Sequence, residues 1–141
     1  MKKLFIYTFF VIILLFIGIQ FIPVNLTNPP ISKEIDAPES VKNILVESCY
    51  DCHSNKTQWP WYNKIAPISW LIMKDVTNGR AAMNFTEWEN YEIIEQDMKE
   101  MILDAVREGR MPPMVYRLGH PSAKLTEEEI LIIEKWVKGE L

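Results

Sequence analysis

The chain holds only two cysteines in 141 residues, and they stand three apart beside a histidine, as Cys49-Tyr50-Asp51-Cys52-His53. This C-x-x-C-H arrangement is the attachment signature of a c-type haem. Two thiols at that spacing can form thioether bonds to the vinyl groups of one haem, and the adjacent imidazole then falls where it can ligate the iron from the proximal side. A domain carrying such a group gains a large apolar body in its core, so the motif constrains fold and chemistry together. Each thiol's only possible disulfide partner is the other.

The N-terminus bears on the compartment. After Met1-Lys2-Lys3, residues 4–22 carry no charge, and Gln20 is their one strongly polar side chain. A spanning helix needs roughly 20 apolar residues, whereas a cleavable signal has an apolar region of roughly 7–15 followed by a small-x-small site. No such site precedes Pro23. Residues 1–22 are therefore expected to be an uncleaved signal anchor forming a single transmembrane helix, with a removed signal peptide as the alternative. Lys2 and Lys3 favour a cytoplasmic N-terminus, which places the rest of the chain on the periplasmic side of the cytoplasmic membrane. In bacteria, haem attachment to C-x-x-C-H takes place on that same side.

Beyond the two leading lysines the chain has 13 basic and 19 acidic residues, a formal charge of −6. No basic stripe is present, and an acidic domain is repelled by phosphate, so nucleic acid is not an expected partner.

Residues 23–37 contain Pro23, Pro29 and Pro30 and no helical period, and they read as an extended linker holding the domain off the bilayer. Residues 38–141 are then one small domain, large enough to bury a single core. Four helical signals follow. Asp36 is placed to cap a helix starting near Pro38, with Val41, Ile44, Leu45 and Ser48 on one face. A second starts near Pro67, carries Ile68, Leu71, Ile72 and Val76, and is expected to end at Asn78-Gly79. Thr86-Glu87-Trp88-Glu89 reads as a capping box opening a third region that repeats Ile94, Met98, Met101, Ile102, Ala105 and Val106 before Gly109. Thr126 and Glu129 form another capping box, flanked by a Leu125–Ile130 staple and followed by the apolar face Ile130, Ile133, Trp136 and Val137. No sustained period-2 alternation occurs. The domain is expected to be all-α.

A six-coordinate haem held by His53 needs a second axial group. Met98 and Met101 share a helical apolar stripe, which core packing explains. Met73 and Met83 could line a pocket, but nothing in the sequence fixes them on iron. Met111 precedes Pro112-Pro113, whose fixed φ angles make a stiff loop able to hold a thioether outward; it is the expected distal ligand. Met114 and His120, the only other histidine, are the alternatives, along with a vacant or water-bound position. Cys49, Cys52, His53 and His120 also add up to a zinc inventory, but adjacent Cys52 and His53 strain tetrahedral closure and no H-x3-5-H pair exists. A thioredoxin-like C-x-x-C lacks its βαβ context. Trp59, Pro60, Trp61 and Tyr62 are expected to pack against the macrocycle. Arg80, Arg107, Arg110 and Arg117 are either propionate partners or simply exposed.

With these residues in place, the chain resembles the bacterial haem-binding domain family of small exported cytochrome c-like proteins. The resemblance runs over roughly residues 38–138 and rests on C-Y-D-C-H-S-N at 49–55, W-P-W-Y at 59–62, A-P-I-S-W at 66–70, D-V-T-N-G-R at 75–80, N-F-T-E-W at 84–88 and M-P-P at 111–113. It implies a compact helical cytochrome c-like fold with one covalent haem c, and it favours Met111 over Met114. By likeness to cytochromes c generally, the Pro67 carbonyl is expected to orient the His53 imidazole. The function expected is a membrane-anchored periplasmic cytochrome transferring single electrons, a carrier rather than a catalyst, with His53 and Met111 on the iron. The rival readings are a haem-based sensor or binding module with an open distal site and, behind it, a peroxidase. The resemblance supplies no redox partner.

Overall fold

The computed structural model describes residues 1–141 and contains seven α-helices and no strand, as the periodicities require. Helix α1, Lys2–Ile19, buries none of its residues and is the one helix long and apolar enough to cross a membrane. The remaining helices are α2 (Glu39–Ser48), α3 (Tyr50–His53), α4 (Ile68–Ala82), α5 (Glu95–Arg107), α6 (Met114–Gly119) and α7 (Glu127–Val137). One core gathers Val41, Ile44 and Leu45 of α2, Met98, Ile102, Leu103 and Val106 of α5, and Ile133, Trp136 and Val137 of α7, with α7 packed on both α2 and α5.

Helix α2 buries the face its period indicates, Val41, Ile44, Leu45 and Ser48. Its cap differs from expectation. Pro38 holds the N-cap position and its carbonyl accepts the first helical bond, from Lys42 N–H at 2.9 Å. Asp36 lies two residues too early to reach the free amides of the first turn.

Helix α4 does not end at Asn78-Gly79 but runs through it to Ala82, with the Gly79 carbonyl accepting from Met83 N–H at 2.9 Å. The glycine is there for another reason. A Cβ on it would stand 2.4 Å from the Cys52 carbonyl oxygen, so its bare backbone lets α4 lie directly against α3.

The Thr86 capping box also fails to form. Thr86 is fully buried, its hydroxyl donates to Asn84 Oδ1 at 2.8 Å and accepts from Asn55 N–H at 2.8 Å, and the backbone beyond Glu87 turns as a 3-10 helix, Trp88–Ile94, before α5 begins. The same pattern at Thr126 does form a box. There the hydroxyl is exposed and free to accept from Glu129 N–H at 3.3 Å, while Thr126 N–H donates to Glu129 Oε2 at 2.7 Å.

The segment read as a linker, residues 23–37, forms no helix, yet it is bound to the domain from Thr27 onward. Ile35 is buried in the core; Ile35 N–H donates to Phe85 O at 2.7 Å, and Lys33 O accepts from Trp88 N–H at 2.8 Å. Arg80 of α4 ties this strap to the loop after His53, donating to Thr27 O (2.9 Å), Asn28 Oδ1 (2.8 Å), Ser54 O (2.8 Å) and Thr57 Oγ1 (2.9 Å). That guanidinium is thereby committed to backbone and side-chain acceptors within the protein.

Candidate functional site

Helix α3 is a single turn set by the motif itself: the Cys49 carbonyl accepts from both Cys52 N–H (3.1 Å) and His53 N–H (2.9 Å). This compact turn brings Cys49, Cys52 and His53 to one wall of a cavity of about 370 Å³, within the size range of small-molecule and cofactor pockets. Helix α4 contributes Asp75, Asn78, Gly79 and Ala82; Met83 and Phe85 follow; α5 contributes Met101, Ile102, Ala105 and Val106. The loop Arg110-Met111-Pro112-Pro113 and Tyr116 of α6 complete the lining, which is predominantly apolar.

His53 is held by its ring. Its Nδ1 lies 3.1 Å from the carbonyl oxygen of Met83, the residue that caps α4, so Nδ1 carries the proton and Nε2 is the nitrogen left to ligate a metal. The expected partner was the Pro67 carbonyl. That carbonyl instead accepts from Trp70 N–H at 3.1 Å in the first turn of α4, at the other end of the helix from Met83. Phe85 flanks the imidazole at a ring separation of 5.9 Å and stacks on Tyr50 at 5.5 Å. Burial pushes the His53 pKa down, against opposing effects of the Met83 and Gly79 backbone, and so favours the neutral imidazole.

Both cysteines are free thiols and partly buried. Burial pushes Cys49 up to about 12, with Cys52 adding to the effect. Burial, then the carboxylates of Asp75 and Asp51, pushes Cys52 up to about 11.

The structure separates the candidate distal residues. Met111 lines the cavity and is half-buried, its N–H donating to Ala105 O at 3.1 Å, with Pro112 buried beside it. Met114 is 68% exposed on α6 and takes no part in the lining. His120 stacks on Tyr116 with ring centroids 4.2 Å apart and also lies outside the lining. No three His, Cys, Asp or Glu residues cluster as a metal site, so the two-cysteine, two-histidine zinc set does not assemble.

Three features escaped the sequence reading. Met101, assigned there to core packing, stands in the cavity wall and is largely exposed. The Tyr116 hydroxyl donates to Asp51 Oδ2 at 2.7 Å, joining α6 to the cysteine motif across 65 residues, a contact no local pattern announces. Trp59, Pro60, Trp61 and Tyr62 do not line the cavity at all, and Trp61 is 85% exposed. Of the four arginines, Arg110 alone borders the cavity.

An apolar cavity with two thiols and an oriented imidazole on one wall fits a haem: the thiols can anchor its edge, Nε2 can reach its iron, and the apolar lining can bury its faces. Fold and site thus define a small helical haem-binding protein. The chain belongs to the haem-binding domain family, whose model matches residues 14–139 and so takes in the strap as well as the helical core. A search of the curated proteins and a search of the solved structures each found no match.

Proposed function

We propose that this protein is a c-type cytochrome domain that carries one covalent haem on Cys49 and Cys52 and passes single electrons on the periplasmic face of the membrane, anchored by α1. The observation that carries the reading is the convergence of C-x-x-C-H and Met111 on one apolar cavity, with His53 Nδ1 already engaged by the Met83 carbonyl. When bound, haem supplies the Fe(III)/Fe(II) couple. The residues of this chain do the rest. Cys49 and Cys52 fix the group covalently, Met83 O holds the imidazole in the ligating tautomer, Met111 offers a thioether from a loop stiffened by Pro112 and Pro113, and the apolar lining excludes water. Methionine–histidine ligation raises the potential, which suits the oxidising end of a respiratory chain.

The test is the absorption spectrum of the haem-loaded full chain, oxidised and reduced. Low-spin spectra in both states, a weak charge-transfer band near the long-wavelength edge of the visible in the ferric form, and slow reaction of the ferrous form with carbon monoxide are expected. A high-spin ferrous form that binds carbon monoxide at once would replace the carrier with the open-site sensor.

A further inference from the structure

Trp61, Ile65, Ile68 and Leu71 are exposed although each is large and apolar, at 85%, 37%, 45% and 57% respectively. They follow one another along the Trp61–Ile65 loop and the first turn of α4. The loop is fastened to the end of α1. Gln20, the residue after that helix, accepts from Ala66 N–H at 2.9 Å and donates to Ala66 O at 3.1 Å. We propose that this face lies on the outer surface of the bilayer that α1 spans, so that the domain rests on lipid.

The inference stands on the reading of α1 as a membrane span, and three observations extend it. An 18-residue helix rises about 27 Å, close to the roughly 30 Å hydrocarbon thickness, so Gln20 sits at its edge and the bonded Ala66 sits there with it. Phe21 and Ile22, also exposed, continue the apolar surface at the same level. The second observation is charge. Residues 52–74 contain Lys56, Lys64 and Lys74 and no carboxylate in a chain of net charge −4. Lys56 is paired with Glu34, whereas Lys64 and Lys74 make no ion pair and are available to anionic headgroups. The third is residue type: a tryptophan with flanking lysines and aliphatic side chains is what the lipid–water boundary selects, and an apolar face of this kind left in water is a liability. Gly79, where α4 touches Cys52, lies eleven residues beyond Ile68, about 16 Å along the helix axis. That spacing limits how far from the membrane the cavity can be held.

The experiment uses the full haem-loaded chain in phosphatidylethanolamine–phosphatidylglycerol vesicles containing a trace of phospholipid with a diazirine high on its acyl chain. After irradiation, lipid adducts are mapped by mass. Adducts on both α1 and residues 61–71 are expected. Trp61→Glu combined with Ile68→Glu should cut labelling of 61–71 at least fivefold and leave α1 labelling unchanged. Lys64→Glu with Lys74→Glu, which leaves the apolar face intact, should lower labelling of 61–71 only in vesicles that contain phosphatidylglycerol. Labelling confined to α1 overturns the bilayer-resting face while leaving the span intact, and leaves a protein partner to cover it. Absence of labelling on α1 overturns the span itself. Labelling of 61–71 that survives the double glutamate change overturns the assignment of these side chains as the contact.

Discussion

Replacing Gly79 by alanine puts a methyl carbon 2.4 Å from the Cys52 carbonyl oxygen, 2.9 Å from its carbonyl carbon and 3.0 Å from its Cβ. Ordinary contact begins at 3.4 Å, so α4 and α3 must part by about 1 Å. The obstacle is backbone on a turn that also bears the haem motif, not the end of a side chain able to swing away. Overpacking of this kind costs about 1–3 kcal/mol, and a position blocked by backbone belongs near the upper end; the better helix propensity of alanine returns about 1 kcal/mol. The net destabilisation is about 2 kcal/mol. For a domain of about 100 residues that lowers Tm by about 9 °C. Met83 lies four residues beyond Gly79, so the same displacement strains the 3.1 Å hydrogen bond that orients His53. Thermal unfolding of the detergent-solubilised chain, followed by helical circular dichroism and by the Soret band, measures both effects. Gly119→Ala is the control, because its added Cβ would meet nothing closer than the Tyr62 hydroxyl at 3.9 Å. Equal Tm values for Gly79→Ala, Gly119→Ala and wild type, with an unchanged haem spectrum, would refute the close-approach argument.

Other outcomes follow from the same geometry. Met111→Ala should abolish the ferric charge-transfer band, lower the reduction potential and admit carbon monoxide rapidly, whereas Met114→Ala, altering an exposed side chain, should leave all three near wild type by spectroscopy and potentiometry. Arg80→Lys should destabilise by about 2 kcal/mol, since an ammonium cannot reproduce the guanidinium's four hydrogen bonds, and limited proteolysis should then cut within residues 23–37 faster than in wild type. Thr126→Ala should cost about 1 kcal/mol in denaturant unfolding through loss of its box with Glu129.

Local rules carried the reading as far as local chemistry decides. The helical faces of α2, α5 and α7 and the Thr126 box were legible because each depends on residues within about one turn of one another. Thr86 shows where that stops. It has the same spacing to an acid as Thr126, yet burial beside Asn84 and Asn55 gives its hydroxyl better partners than a helix end. The imidazole partner was missed for a related reason: Met83 acts through its backbone, so its side chain holds no clue, and its place depends on where α4 ends. An isolated glycine within a helical pattern does signal either a stop or a close approach, and at Gly79 the approach prevailed. The docking of the strap could not be read, because its hydrogen bonds to Phe85, Thr86 and Trp88 span fifty residues or more.

The account turns on covalent attachment, and mass analysis of the denatured polypeptide tests it most directly. Protein matured in a cell that has haem-attachment machinery should retain one haem on the peptide that contains residues 49–53. Cys49→Ala and Cys52→Ala should each weaken retention, and the double change should abolish it. A wild-type chain that loses all haem on denaturation, beside a control cytochrome that keeps its own, would contradict the account.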